Sequence, residues 1–427
     1  MVRRRRWRFP KPLTTVAILA AVFFALGSVG SPLLGMSVFA GTDELSTRSP
    51  YLDAGFAGIP VQNQGVDDTY TAQLPNTLLY TQSVRQGDSP QWNPYISGGV
   101  PLGATVNYAL YDPLTLPYYL LPGWLAPGYE KLLEILCAIV GGFLFLRRIR
   151  LGRPAALLGG TIYAGTAFMV VWTNWPQTRV AAFIPWVFWA AERLVARWSG
   201  GQRRRVADVA LLALPIAFML LGGFPAVTAF ALLTAAGYLV VRALAEYRDR
   251  PRRLVGVIGA AAVSVVGGLA LAAVQLVPFV GFYRHWLIEG RAQTPGDHLH
   301  IADLATLFAP WTFGGWQSSN AGKPIWYLPL NMIESLSYLG AAALVLVLVA
   351  VAVPGAGRRL LPRSAWLYLV LVTGGWLVLI YVGGPLRVLQ HLPVFSSNFI
   401  GRARSILGFL LAVLAAVGFE VLLRRRA

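Results

Sequence analysis

Apolar residues run in long stretches along this chain, and polar residues gather between them. Stretches of about 20 apolar residues recur, long enough to cross a ~30 Å hydrocarbon layer as helices. Open strands in lipid would leave their backbone groups unpaired. The pattern therefore predicts an all-α polytopic bundle. Ten spans are predicted, near 13–36, 129–146, 154–172, 180–198, 206–222, 225–244, 254–280, 332–353, 365–382 and 405–423. The fifth and sixth meet at GGFP (222–225), too short for a loop, which predicts a tight helical hairpin.

Composition agrees with lipid as the solvent. Hydrophobic residues make up 56% of the chain and charged residues 13%, half of the roughly 25% charged residues of a soluble domain. The mean hydropathy is +0.58. The formal net charge of +18 is unevenly spread. Arginine clusters at 3–8, 147–150, 203–205, 248–253, 358–359 and 424–426 all fall on one side of the ten-span arrangement. That side has 26 basic and 5 acidic residues, the other 10 and 13. The arginine side is predicted to be cytoplasmic, with both termini inside. Such a charge, split among short loops with no soluble domain to present it, does not mark a nucleic-acid partner.

The N-terminus also has the outline of a secretory signal, with an arginine-rich start, an apolar run and SVFA before Gly41. The apolar run is long for that purpose and is read as the first span. The single cysteine, Cys137, lies within a span and excludes an intrachain disulfide. Three lysines stand against 33 arginines, alongside much alanine and glycine, as in a GC-rich bacterial genome.

Three extracytoplasmic loops are predicted, at 41–128, 281–331 and 383–404. Long ordered loops are usually functional, and 13 of the 18 acids face this side. In the first loop, residues 68–86 predict a broken amphipathic helix on the membrane surface, with apolar Leu74, Leu78, Leu79 and Val84. The turn-rich GDSPQWNPYISGGVPLG follows. Residues 105–121, interrupted by Pro113 and Pro117, predict a second interfacial or re-entrant piece. No P-loop, GxGxxG after a strand, HExxH or CxxC occurs. His298 and His300 could present two metal ligands only on an extended segment, and a solvated loop is the simpler reading.

The order of motifs on this face carries a resemblance. Asp68, Gln73 and Pro75 form D…Q..P, followed by Gly87, PQWNPY (90–95), Gly98–Gly99 and PLG (101–103). Then come LGGFP (221–225), QLVPF (275–279), NMIESLSYLG (331–340) and NFIGRARSILGFLLAVLAAVGFEVLL (398–423). Together these resemble the YfhO family of bacterial membrane glycosyltransferases, over nearly the whole chain from the first span to Leu423. The resemblance implies one GT-C-like transmembrane domain over 1–427, in a bacterial plasma membrane. It implies transfer of a sugar from a polyprenyl-phosphate donor to an extracytoplasmic acceptor such as a cell-wall polymer, lipid or protein. It further suggests a cytoplasmic-side enzyme that charges the carrier. Many family members continue beyond the point where this chain stops at RRRA. That reads either as a short member or as one whose acceptor-recognising part is missing or supplied by a partner.

Such a transfer needs a carboxylate to take the acceptor's proton and favour a cation-like anomeric centre. Asp68 matches the motif and is the expected base. Asp67 is second choice, or a helper that tunes its neighbour or binds a metal. Either could instead cap the helix that begins near Thr69. The leaving phosphate needs its charge met by Arg, Lys, His or a metal ion. Arg402 and Arg404 are the expected donors, then Arg284 and His285, with Arg291 and Lys323 weaker. No cofactor is specified, and the sequence requires no divalent cation. Gln73, Trp92, Asn93 and Tyr95 are expected to touch the sugar, although the last three also suit a turn anchored by interfacial aromatics. Glu334, at the mouth of the eighth span, is expected to pair with an outer arginine or to serve the acceptor. Glu134 is a weaker case of the same kind. Gly222, Gly223 and Pro225 are expected to serve helix packing and the hairpin turn. A transporter or flippase for a lipid-linked or polar solute is the alternative, and a non-catalytic scaffold the third reading.

Overall fold

Uninterrupted apolar runs satisfy their own backbone only by coiling, and almost all regular structure in this chain is helical. A computed structural model describes residues 11–56, 58–61, 64–96, 98–198, 201–285, 298–318, 324–396 and 398–426. Helix α1 (Lys11–Val29) leads into the first loop, which carries α2 (Leu74–Arg85), the strands β1 (Trp92–Asn93) and β2 (Val100–Pro101), and α3 (Leu116–Leu120). The bundle continues with α4 (Ala126–Arg148), α5 (Arg153–Ala164), α6 (Ala167–Val171), α7 (Pro176–Ala182) and α8 (Ile184–Arg197). Next are α9 (Gln202–Leu221), α10 (Pro225–Tyr247), α11 (Pro251–Leu271) and α12 (Ala273–Tyr283). A short antiparallel hairpin, β3 (Gly314–Ser318) with β4 (Pro324–Trp326), precedes α13 (Met332–Ser335) and α14 (Ala341–Ala352). The chain ends through α15 (Ala356–Leu360), α16 (Arg363–Tyr381), the single turns α17 (Leu386–Leu389) and α18 (Pro393–Ser396), and α19 (Arg404–Arg426).

Among the described residues, five helical segments are long and apolar enough to cross a membrane: Pro12–Val29, Pro225–Tyr247, Pro251–Leu271, Arg363–Tyr381 and Ile400–Arg425. This is the make-up of an all-α membrane protein. The other expected spans depart from single apolar helices, each for a local reason. The third breaks at Gly165–Thr166 into α5 and α6. The fourth is split between α7 and α8, with prolines at the start of each. The seventh, although met by α11, also breaks at Ala272 before its expected end, where α12 begins. The second, α4, is continuous but carries Glu130, Lys131 and Glu134 in its first half. The fifth, α9, begins with arginines and contains Asp208. The eighth is not one helix: residues 336–340 are irregular, and α14 has only 12 residues.

The core forms where aromatic side chains from five helices meet. Phe145 of α4, Phe188 of α8, Tyr238 of α10 and Phe409 of α19 lie with ring centroids 5.1–5.8 Å apart, and Tyr163 of α5 packs on Phe409 at 5.4 Å. Helices α4 and α5 approach at backbone distance because Gly142 and Gly160 face each other; a Cβ on Gly160 would stand 2.5 Å from the Ile139 carbonyl oxygen. Small residues allow such contact between apolar helices, where dispersion and not water release drives association. Helix α19 is largely buried, whereas α1 and α11 bury little of their surface. The GGFP joint makes a corner and not a zipped hairpin: α9 packs chiefly along α11 and α8, and α10 along α8 and α16.

Several buried charges are paired. In the arginine-rich half, Glu192 receives a bidentate pair from Arg242 (Nε 2.8 Å, Nη2 2.9 Å) and a third bond from Tyr238 (2.9 Å). Glu420 accepts from the Gly152 N–H at 3.0 Å and from Arg424 Nε at 2.9 Å.

Candidate functional site

The first loop folds over one end of the bundle, and buried side-chain hydrogen bonds hold it there. Asn93 donates to Asn76 (2.7 Å), Asn76 donates to the Ala72 carbonyl (2.7 Å), and Asn93 Oδ1 accepts the Tyr95 N–H (2.9 Å). Asn93 is thus a buried strut and not a free sugar-binding amide. Trp92 lies half-exposed over Gly99 in the β1–β2 hairpin, and Tyr95 is fully exposed. Helix α2 corrects the expectation of an apolar face on the membrane. Its buried face is polar, made by Asn76, Thr77, Tyr80 and Thr81, and it packs against α3 within the loop. Residues 105–121 likewise form two short turns and α3 over a small cluster of Tyr80, Leu102, Tyr108 and Leu110.

The loop is seated on the α9–α10 corner. Gly223 has φ +84°, and a Cβ there would sit 2.0 Å from the Val106 carbonyl oxygen. Gln275 of α12 donates to that same carbonyl at 3.1 Å. Asp112 is buried beside this contact. Its Oδ1 accepts the Leu114 N–H at 2.7 Å, and its Oδ2 has no partner. Burial pushes the carboxyl up to about 7, against the opposing pull of that N–H and of the Arg179 guanidinium.

Beneath the loop the ends of α4 and α7 contribute a buried charge cluster. Arg179 Nε donates to Glu130 Oε1, and Tyr118 donates to Glu130 Oε2 at 2.9 Å. Lys131 donates to Glu134 (2.9 Å) and to the Met169 carbonyl (2.6 Å), and Thr178 donates to Glu134 (3.0 Å). A small cleft lies between this cluster and the loop, about 240 Å³ counted to its open mouth but about 10 Å³ where it is enclosed, lined by Thr69, Gln73, Thr77, Tyr118, Asn174 and Arg179 and by the apolar Ala40, Leu74 and Pro127. Gln73 therefore belongs to this cleft.

Asp67 and Asp68 are exposed on the turn that leads into Thr69. Asp67 Oδ1 accepts the Asp68 N–H (2.9 Å), and Arg48 lies 4.0 Å from Asp67 and 3.7 Å from Glu44. The expected helix cap is not made by Asp68, whose side chain accepts no capping N–H. Burial raises the Glu44 carboxyl, partly offset by Tyr70 and Arg48. Tyr70 is in turn pushed up to about 12 by burial and by Glu44.

The expected phosphate ligands separate. Arg404 is buried, and its donors go to backbone carbonyls: Nε to Gly401 (2.9 Å), Nη2 to Ile333 (2.9 Å) and Nη1 to Leu336. It serves the irregular break between α13 and α14, so its guanidinium is withdrawn from the surface where a phosphate would arrive. Arg402 pairs with Glu334 at 2.9 Å and stacks 5.0 Å from the Phe224 ring centroid. Glu334 therefore has the arginine partner that its position required. Arg402 Nε and Glu334 Oε2 are left without partners, so this pair retains binding capacity. Arg284 and His285 are exposed at the end of α12. Arg291 and Lys323 lie outside the described residues. His298 sits beside the Leu299 carbonyl, and His300 accepts the Ala302 N–H at 3.2 Å. Among the described residues no three His, Cys, Asp or Glu side chains gather as a metal site.

Sequence reasoning singled out Glu134 but not Glu130, Lys131, Asp112 or Arg179. The signal was present: YEKLLE places three charges within the first turns of an expected span, and WPQTR leaves an arginine between two others. Compared with known proteins, the chain matches no protein-family model, no curated protein and no solved structure.

Proposed function

We propose that this chain is a polytopic membrane glycosyltransferase of GT-C architecture, with about ten spans and both termini on the cytoplasmic, arginine-rich side. It moves a sugar from a polyprenyl-phosphate donor to an extracytoplasmic acceptor. The observation that carries the reading is the first loop. It is a folded cap whose buried face lines a polar cleft and whose turn holds two solvent-facing aspartates beside that cleft. Apolar helices alone give a carrier lipid somewhere to lie; the cap adds polar chemistry at one end of them. In the reaction the acceptor oxygen attacks the anomeric carbon as the carbon–oxygen bond to phosphate breaks. The acceptor's proton passes to Asp68, with Asp67 as the second carboxylate, and the phosphate departs with the bonding electrons. Arg402, held by Glu334 and stacked on Phe224, is the guanidinium proposed to meet that phosphate, through the Nε that the pair leaves without a partner. The motif order shared with the YfhO family supports the same assignment.

The test is transfer of labelled sugar from polyprenyl-phosphate donors by membranes holding the intact chain. Asp68→Asn is expected to lower transfer by at least ~10²-fold, the general-base contribution, with unchanged thermal stability because the side chain is exposed. Full activity in the Asp67→Asn/Asp68→Asn double variant would rule the assignment out. A transporter reading draws on the broken helices, since the Ala167 N–H at the start of α6 donates to Tyr338 in the irregular break at 2.8 Å. It predicts solute movement that survives loss of both aspartates.

A further inference from the structure

Two side chains in the cleft are buried with unused hydrogen-bonding capacity. Gln73 is 8% exposed, lines the cleft, and its side-chain amide makes no hydrogen bond among the described residues, with Oε1 fully buried. Arg179 is 2% exposed and lines the same cleft; its Nε goes to Glu130, while its Nη1 has no partner. A buried polar group left unpaired is costly. Both residues line one small space, where a ligand group could complete them.

The chemistry of that ligand follows from donors, acceptors and charge. A guanidinium only donates, whereas an amide oxygen only accepts. A hydroxyl can take from the first and give to the second. A phosphate oxygen can only accept, and would set its charge against the amide oxygen. The charge balance also disfavours an anion. Arg179 is neutralised by Glu130 and Lys131 by Glu134, and Asp112 adds a further carboxyl with an unpartnered oxygen. The cluster offers no net positive charge to an incoming phosphate. The enclosed space is also small, at about 10 Å³, room for one water-sized group. That admits a single hydroxyl of a ring lying at the mouth and not a lipid tail.

We propose that Gln73 and Arg179 form a hydroxyl-reading subsite for a neutral sugar ring, distinct from the seat of the carrier phosphate. This rests on the reading of the capped end as the side where sugar is transferred. The subsite sets which sugar is accepted, because a buried pair built to bond a hydroxyl rejects a ring that lacks it.

The test uses the full chain in detergent micelles. Saturation-transfer NMR is run against methyl glycosides of the common hexoses, pentoses and N-acetylhexosamines, and inorganic phosphate is followed by its ³¹P line width. At least one glycoside is expected to register. Gln73→Met should weaken it ~10-fold, the equivalent of one hydrogen bond, and leave phosphate unchanged. Gln73→Glu, which keeps the acceptor oxygen, should retain binding. Gln73→Met should melt no lower than wild type, since it removes an unpaired group. Polyprenyl phosphate with and without a linked hexose separates the sources. Selective weakening of the linked form assigns the ring to the donor, and an effect on free glycosides alone assigns it to the acceptor. Absence of any glycoside signal, or equal weakening of bare polyprenyl phosphate, overturns the subsite. Glycoside binding by a protein that transfers no sugar would instead remove the transferase reading and leave the subsite standing.

Discussion

Removing Arg179 tests whether the charge cluster under the first loop is one unit. The Arg179→Met variant keeps the length of the side chain but strands Glu130, which is 1% exposed. Breaking a buried pair from one side costs about 3–5 kcal/mol. Tyr118 still donates to Glu130 at 2.9 Å, a charge-assisted bond that keeps the loss near the lower end, at about 3 kcal/mol. Glu130→Met alone leaves the guanidinium buried without its counterion and should cost a similar amount. The double variant removes both charges and should recover most of the loss, leaving mainly the orphaned Tyr118 hydroxyl at about 1–3 kcal/mol. Adding Tyr118→Phe should recover that as well. The measurement is reversible unfolding in mixed micelles titrated with SDS, read as a double-mutant cycle with an expected coupling of about 3–5 kcal/mol. If Arg179→Met costs less than about 1 kcal/mol, or the two single losses add, the pair is not a buried unit and the charge argument for the neutral subsite loses its footing.

Asp112 and Gly223 offer two further tests. Burial raises the Asp112 carboxyl to about 7, well above its unfolded value near 3.9. Its contribution to stability is therefore fully present below about pH 4 and is lost as pH rises through about 7. Melting curves from pH 4.5 to 8 should show this decline in wild type, and Asp112→Asn should flatten it; an unchanged slope would remove Asp112 as its source. Gly223→Ala puts a Cβ 2.0 Å from the Val106 carbonyl oxygen at a positive φ. It should unseat the first loop from the α9–α10 corner and expose residues 105–112 to limited proteolysis. A protected loop in that variant would refute the contact.

The long helices were legible because hydropathy is local: an apolar stretch needs no knowledge of its neighbours to form α10, α11 or α19. The breaks were not. Residues 336–340 were read as part of a span, and they stay irregular where Arg404, nearly 70 positions away, supplies donors to the carbonyls of Ile333 and Leu336. The Arg402–Glu334 pair was legible because a carboxylate at a span mouth needs a counterion, and few arginines lie on that side. Glu130 and Arg179 escaped for the opposite reason, each looking like an ordinary helix-end charge until the fold joined them. The same distance effect misassigned Asn93, whose partner Asn76 lies in another element. Asp67 and Asp68 were found by motif position, and their exposure is consistent with reaction at a surface and not with a structural pair.

The dependence of the α13–α14 break on α19 also bears on biogenesis. Helix α19 follows all the other helices along the chain, yet it fills the seam beside α5 and α14, and its first residue supplies the donors for the break. Until it emerges from the ribosome and docks, the helices already inserted stand around an open slot with bare carbonyls at one edge. Those carbonyls must meanwhile be served by water, lipid headgroups or an insertase. A nascent chain halted before Arg404 would thus lack the donors for the break and present an open seam beside α5 and α14.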